Sequence, residues 1–156
     1  MQDLHEIDAI QRLKHRYLRC IDQKLWDELE TCFTEDAVCS YSDGKYAYQG
    51  RAAIMEFLRG AMGAPSFLSS HRVHHPEIEL TGPTTAKGIW ALDDVVIETR
   101  AQITIRGAAF YYDEYVKQDG RWRIRSTGYT RTFEEMESRK DRPTLRLTAN
   151  AWEKVD

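Results

Sequence analysis

The sequence predicts an α+β fold: a curved antiparallel sheet, cone-shaped, with N-terminal helices packed on its concave face. Three observations carry this reading. Apolar residues recur at helical spacing only in the first third of the chain, whereas period-2 alternation dominates after the histidine-rich stretch 69–76. Helices first and long strands afterwards segregate into two layers. Gly88, Gly107 and Gly128 fall inside three successive strand segments, where glycine marks bends or bulges. A bent sheet closed over by helices encloses a cavity suited to a small molecule.

Taking the elements in order, Ile7, Ile10, Leu13, Tyr17 and Ile21 form the apolar stripe of a first helix, with Arg12, Lys14, Arg16 and Arg19 between them. Leu25, Trp26, Leu29 and Phe33 outline a shorter second helix, with Asp27 and Glu28 placed for its first turn. Residues 34–36 break it. Residues 37–41 and 45–49 read as a hairpin about Ser42-Asp43-Gly44, and 51–59 as a third helix. Gly60, Gly63, Pro65 and Ser66 form a loop before Ser-Ser-His-Arg-Val-His-His-Pro, which opens a strand. Strands follow at 77–80, 84–98, 103–117 and 121–133, with turns at Thr81-Gly82-Pro83 and Asp119-Gly120. Residues 1–135 form a single domain, and 136–156 a charged C-terminal tail.

Composition narrows the function. The chain has 156 residues, 42% hydrophobic and 30% charged, with net charge −3 and both signs interspersed, so no basic stripe invites nucleic acid. Neither a leader-like N-terminus nor an apolar run of membrane-spanning length is present. Cys20, Cys32 and Cys39 are odd in number and lack C-x-x-C spacing, which points away from structural zinc or a disulfide framework and towards the cytoplasm. Walker, G-x-G-x-x-G and H-E-x-x-H motifs are missing, so chemistry without cofactor or metal is expected.

Polar residues on packed faces carry the functional signal. Asp94 shares strand parity with Trp90 and Leu92 and points inward, while Asp93 points away. Tyr17 lies on the first helix's apolar stripe, and Asp22 borders the same side where that helix ends. Five residues apart, the two splay by about 140° on an ideal helix, so both reach one cavity only at a helix terminus. His71, His74 and His75 crowd one segment, but alternation separates His74 from the other two and leaves a metal site without a third ligand. An imidazole base, a carboxylate to orient it and a phenol to donate to a carbonyl oxygen make a coherent set in His71, Asp22 or Asp94, and Tyr17. Arg131 shares parity with Arg121, Arg123 and Arg125 and points outward unless Gly128 marks a bulge.

The run Tyr17-Leu18-Arg19-Cys20-Ile21-Asp22 with Leu25-Trp26-Asp27-Glu28-Leu29-Glu30 resembles the SnoaL-like family of the nuclear-transport-factor-2-like superfamily. The similarity continues through His71, His74, Pro76-Glu77-Ile78, Trp90 with Leu92 and Asp94, Gly107-Ala108-Ala109-Phe110-Tyr111 and Thr127-Gly128-Tyr129 with Arg131. Within the family it most resembles the bacterial bile-acid 7α-dehydratases and, more distantly, the dehydrochlorinase and scytalone dehydratase branches. The resemblance implies a homotrimer and an active-site set of Tyr17, Asp22, His71, Asp94 and Arg131. Trp90, Phe110, Tyr112, His74 and Tyr129 are expected to bind a hydrophobic substrate, a steroid or polycyclic ketone. His75 stands where threonine is expected, and segments 64–68 and 95–102 depart most, so they bear on substrate choice. The expected reaction is dehydration of a 7-hydroxy-3-oxo-4-ene steroid, with another SnoaL-like isomerase, cyclase or dehydrohalogenase, or a binding module, as alternatives.

Overall fold

The structure is a computed structural model and describes residues 2–155. Helix α1 spans Gln2–Asp22, α2 Trp26–Glu30 and α3 Arg51–Met62. The strands are β1 Phe33–Tyr41, β2 Tyr46–Gln49, β3 Phe67–Gly82, β4 Thr85–Glu98, β5 Ile103–Gln118 and β6 Arg121–Ser138. They form one curved, open six-stranded sheet in the order β2-β1-β6-β5-β4-β3. The α+β architecture with N-terminal helices over a curved sheet is the predicted one. One pairing differs: β1 runs parallel to β6, so the sheet is mixed. The crossover through α3 and the β3–β6 meander brings the chain back beside its first strand in that sense.

Several boundaries move for physical reasons. Phe33 belongs to β1, where it is buried opposite Ile124, and not to the second helix. Helix α3 continues through Gly60, whose position is open enough that a side chain would meet nothing. The histidine stretch does not precede a short strand but lies within the sixteen-residue β3. There β3 bulges between His74 and Glu77, placing His75 and Pro76 opposite Trp90. His75 takes a φ of 29°, and Pro76 has no N–H to contribute to the ladder. The Asp119-Gly120 turn is as expected, both residues having positive φ, the requirement of a two-residue type I′ hairpin. Strand β6 runs to Ser138, so the sheet uses the first residues assigned to the tail.

The core lies between the helices and the concave face. Ile10, Leu13, Tyr17, Leu18 and Ile21 of α1 pack with Leu29, Phe33, Ile54 and Leu58 against Trp90, Leu92, Tyr111, Tyr115 and Ile124. The interior glycines serve close approach more than bending. A Cβ on Gly128 would stand 2.3 Å from the Ser40 carbonyl oxygen, so only glycine lets β1 lie beside β6 there. The bulges of β6 fall elsewhere, at Arg125 and Thr132, the residues skipped in its register with β5.

Candidate active site

The base candidate sits on an edge. Strand β3 is the last in the sheet, so the outer side of its backbone has no neighbouring strand, and α1 packs there. Asp22, the last residue of α1, grips that edge at three points. Its Oδ2 accepts the His71 backbone N–H at 2.8 Å, and its Oδ1 accepts the Ser69 hydroxyl at 2.8 Å and meets His71 Nδ1 at 2.6 Å. An ionised carboxylate only accepts, so Nδ1 carries the proton and Nε2 holds the lone pair. The helix-end geometry resolves the splay of Tyr17 and Asp22: Tyr17 lines the cavity, whereas Asp22 holds His71 from the side.

Asp94 is the cross-strand partner of His71, and it is buried as strand parity predicts. Its oxygens go to Arg131 instead: Nη1 donates to Oδ1 at 2.5 Å and Nη2 to Oδ2 at 3.0 Å, a bidentate pair. Arg131 points inward, contrary to the outward parity expected of it. The bulge at Arg125 inverts the alternation, so Trp122 and Ile124 before it and Thr127, Tyr129 and Arg131 after it share the inner face. Gly107 makes the room. It pairs with Asp94, and a Cβ there would stand 2.6 Å from Arg131 Nη1 and 2.7 Å from the Phe133 carbonyl oxygen. Burial disfavours the guanidinium charge, but the hydrogen bonds to Asp94 outweigh it and hold the pKa above its ordinary value.

Phenols form the rest of the wall. Tyr17 and Tyr41 hydroxyls lie 2.8 Å apart, and Tyr111 and Tyr129 meet edge to face with ring centroids 5.4 Å apart. Burial, followed by neighbouring groups, pushes the Tyr17, Tyr41 and Tyr111 pKa values well up, so these are neutral donors at physiological pH. With Ile21, Phe57, Leu58, Met62, Phe67 and Val96 they enclose a cavity of about 240 Å³ lined also by His71, Asp94 and Arg131. Exposed Tyr46 and Ala61 mark its open side.

The structure thus brings Tyr17, His71, Asp94, Arg131 and Tyr129 to one cavity, with Asp22 behind His71. Four expected substrate contacts lie elsewhere. Phe110 and Tyr112 are 43% and 56% exposed on the other sheet face, because alternation gives the inner face to Ala109 and Tyr111. Trp90 is buried in the core and donates its indole N–H to Tyr115 Oη at 2.9 Å. His74 is on the far side from His71, paired with Asp93 at 3.0 Å. Among the described residues, no group of three or more His, Cys, Asp or Glu is arranged to hold a metal.

Sequence reasoning missed Tyr41 and Tyr111, although Tyr111 shares parity with Gly107. It also missed Lys14 and Asp113, whose side chains are 0% and 0% exposed and meet at 2.7 Å. The signal was present: Lys14 follows Ile10 by four and precedes Tyr17 by three, so it lies on the apolar stripe.

The cavity between the helices and the curved sheet is thus lined by an imidazole, phenols and a half-buried guanidinium paired with a carboxylate. The SnoaL-like domain profile matches residues 2–128, and the chain belongs to the SnoaL-like family. A protein of Mycobacterium tuberculosis without an assigned function is 26% identical over 133 residues, 81% of this chain and 86% of its own length. Among solved structures, a Novosphingobium aromaticivorans protein assigned as a scytalone dehydratase superposes with a TM-score of 0.79 at 26% identity, covering 86% of this chain and 91% of its own. A hexachlorocyclohexane dehydrochlorinase from Novosphingobium barchaimii gives a TM-score of 0.77 at 20% identity, covering 86% and 92%, a likeness of fold. No helix among the described residues is long and apolar enough to cross a membrane.

Proposed function

We propose that the chain is a lyase that removes water from a cyclic alcohol vinylogous to a ketone, with His71 as the base. The observation that carries this reading is the His71–Asp22 contact at 2.6 Å, which leaves Nε2 as the free ring nitrogen of a residue lining the cavity. An enone acidifies its γ hydrogen enough for a neutral imidazole to take it. Nε2 accepts that proton, Asp22 stabilises the imidazolium, and Tyr17 donates to the developing dienolate oxygen. The imidazolium then returns the proton to the departing hydroxyl, and water leaves. Atoms and electrons balance without an oxidant or reductant. Arg131, neutralised by Asp94, supplies a polar wall without a net charge of its own.

The substrate proposed is a 7-hydroxy-3-oxo-4-ene steroid of the bile-acid type. At about 240 Å³ the cavity is smaller than the ~300–1,000 Å³ of sites that bury a whole drug-sized ligand, so only the reacting rings are enclosed. The same volume favours a second reading, a compact one- or two-ring substrate held entirely inside. Two structural neighbours are named for eliminations, of water and of hydrogen chloride, which supports the reaction class in both readings. Exposed Phe110, Tyr112 and Phe133 on the outer sheet face support self-association, with a homotrimer proposed from the family resemblance.

The test offers purified protein a 7α-hydroxy-3-oxo-4-ene steroid and, separately, a compact bicyclic hydroxyketone, and follows the ultraviolet spectrum. Growth of a longer-wavelength conjugated band identifies the substrate. A chain that dehydrates neither loses this reading.

A further inference from the structure

Beneath the phenols lies an ion pair that the proposed chemistry leaves unused. Asp113 is satisfied on every side: Thr127 Oγ1 donates to its Oδ1 at 2.7 Å, and Tyr115 Oη to its Oδ2 at 2.7 Å. Lys14 differs. Asp113 at 2.7 Å is its one polar partner among the described residues, and its ammonium lies against aromatic rings. Nζ is 3.4 Å from the centroid of Tyr111 and 4.7 Å from that of Tyr17. Both rings also line the cavity, so each carries the ammonium on its face and borders whatever the cavity holds.

A buried pair of this kind rarely owes its place to stability, since apolar side chains of equal volume commonly do as well or better. What a lysine adds here that a methionine cannot is charge. A cation on the face of a phenol withdraws electron density from the ring and makes its hydroxyl a stronger donor, most effectively where water is excluded. We propose that Lys14 is a positioning residue that, held by Asp113, polarises Tyr111 and Tyr17 so that the phenol cluster stabilises an oxyanion in the cavity. Burial lowers the lysine pKa and Asp113 opposes that. This inference rests on the proposed oxyanion chemistry and assigns its electrostatic source to a residue outside the cavity.

The test uses 4-nitrophenol, small enough for the cavity and coloured only as its phenolate. Bound to the wild-type chain, its ionisation should occur at lower pH than in bulk water. The double variant Lys14→Met, Asp113→Asn removes both charges and keeps the volume. It should melt as a cooperative fold and bind the phenolate roughly tenfold less well than the wild type, with binding of the neutral phenol unchanged. Should the double variant not fold, Lys14→Gln, which removes the cation and keeps a polar side chain beside Asp113, must show the same selective loss. Wild-type phenolate binding in the folded variant, or no phenolate preference in the wild type, overturns the proposal. The titration needs no turnover, so a chain that dehydrates nothing would remove the lyase reading and leave this result readable.

Discussion

Asp22 and Asp94 both stand beside His71, and they reach it by different routes. Asp94 is brought there by strand register, directly across the ladder, while Asp22 arrives from the end of a helix forty-nine residues away in sequence. Strand register alone favours Asp94 as the partner of the imidazole. Hydrogen-bond satisfaction decides otherwise, because both Asp94 oxygens are engaged by Arg131 and both Asp22 oxygens by the His71–Ser69 edge. One carboxylate faces an imidazole, the residue proposed as the base, the other a guanidinium whose charge never changes. The two acids differ in burial as well, Asp94 being buried and Asp22 half-buried.

The sharpest way to break that distinction is kinetic. His71→Ala is expected to lower kcat by about 10²–10⁴-fold with the melting transition retained, and Asp22→Asn by a similar factor through loss of the tautomer. If Asp94→Asn proves the more damaging of the two carboxylate changes in a folded enzyme, the assignment of roles is reversed. Stability should rank them the other way. Arg131→Met strands a buried Asp94 and should cost about 3–5 kcal/mol in urea denaturation, most of it recovered when Asp94→Asn is added. Gly107→Ala sharpens the same point from the backbone, since the methyl invades the guanidinium's space. A loss of about 1–3 kcal/mol, together with weaker ligand binding, is expected.

The smallest effect appears only in alkali. Folding raises the pKa of Tyr17, Tyr41, Tyr111 and Tyr115, chiefly by burial. Their unfolded values lie near ~10, so their contribution is intact below that pH. Above it the unfolded chain releases protons that the folded chain keeps, and stability falls as pH rises. Phenolate absorbance should therefore grow in step with unfolding. Ionisation of all eight tyrosines in a chain still folded would contradict the burial.

The parts of the site legible in the sequence are those governed by uninterrupted periodicity. Asp94 follows from strict alternation in β4, and Tyr17 from the α1 stripe. Parity sent Arg131 outward and only the family resemblance put it in the set, because one extra residue at Arg125 inverts the phase of β6 and no residue type there announces a bulge. Phe110 and Tyr112 were drawn to the cavity by aromatic character, where parity alone would have chosen Tyr111. The reverse bias hid Lys14, a charged residue at a stripe position whose partner lies ninety-nine positions on. The parallel pairing of β1 with β6 is likewise a property of the whole path of the chain and not of any segment.

The grip of Asp22 on the His71 amide also bears on how the molecule stays single-stranded at its margin. An open sheet edge is a template for another chain, and the outer N–H of His71 is one of the donors such a chain would take. Asp22 occupies it with a negative charge, and a few residues on the His75–Pro76 bulge ends any regular ladder. The residue proposed to orient the base therefore also guards against strand addition. Asp22→Ala would lose both functions at once, the second as concentration-dependent light scattering in a protein whose helices remain folded.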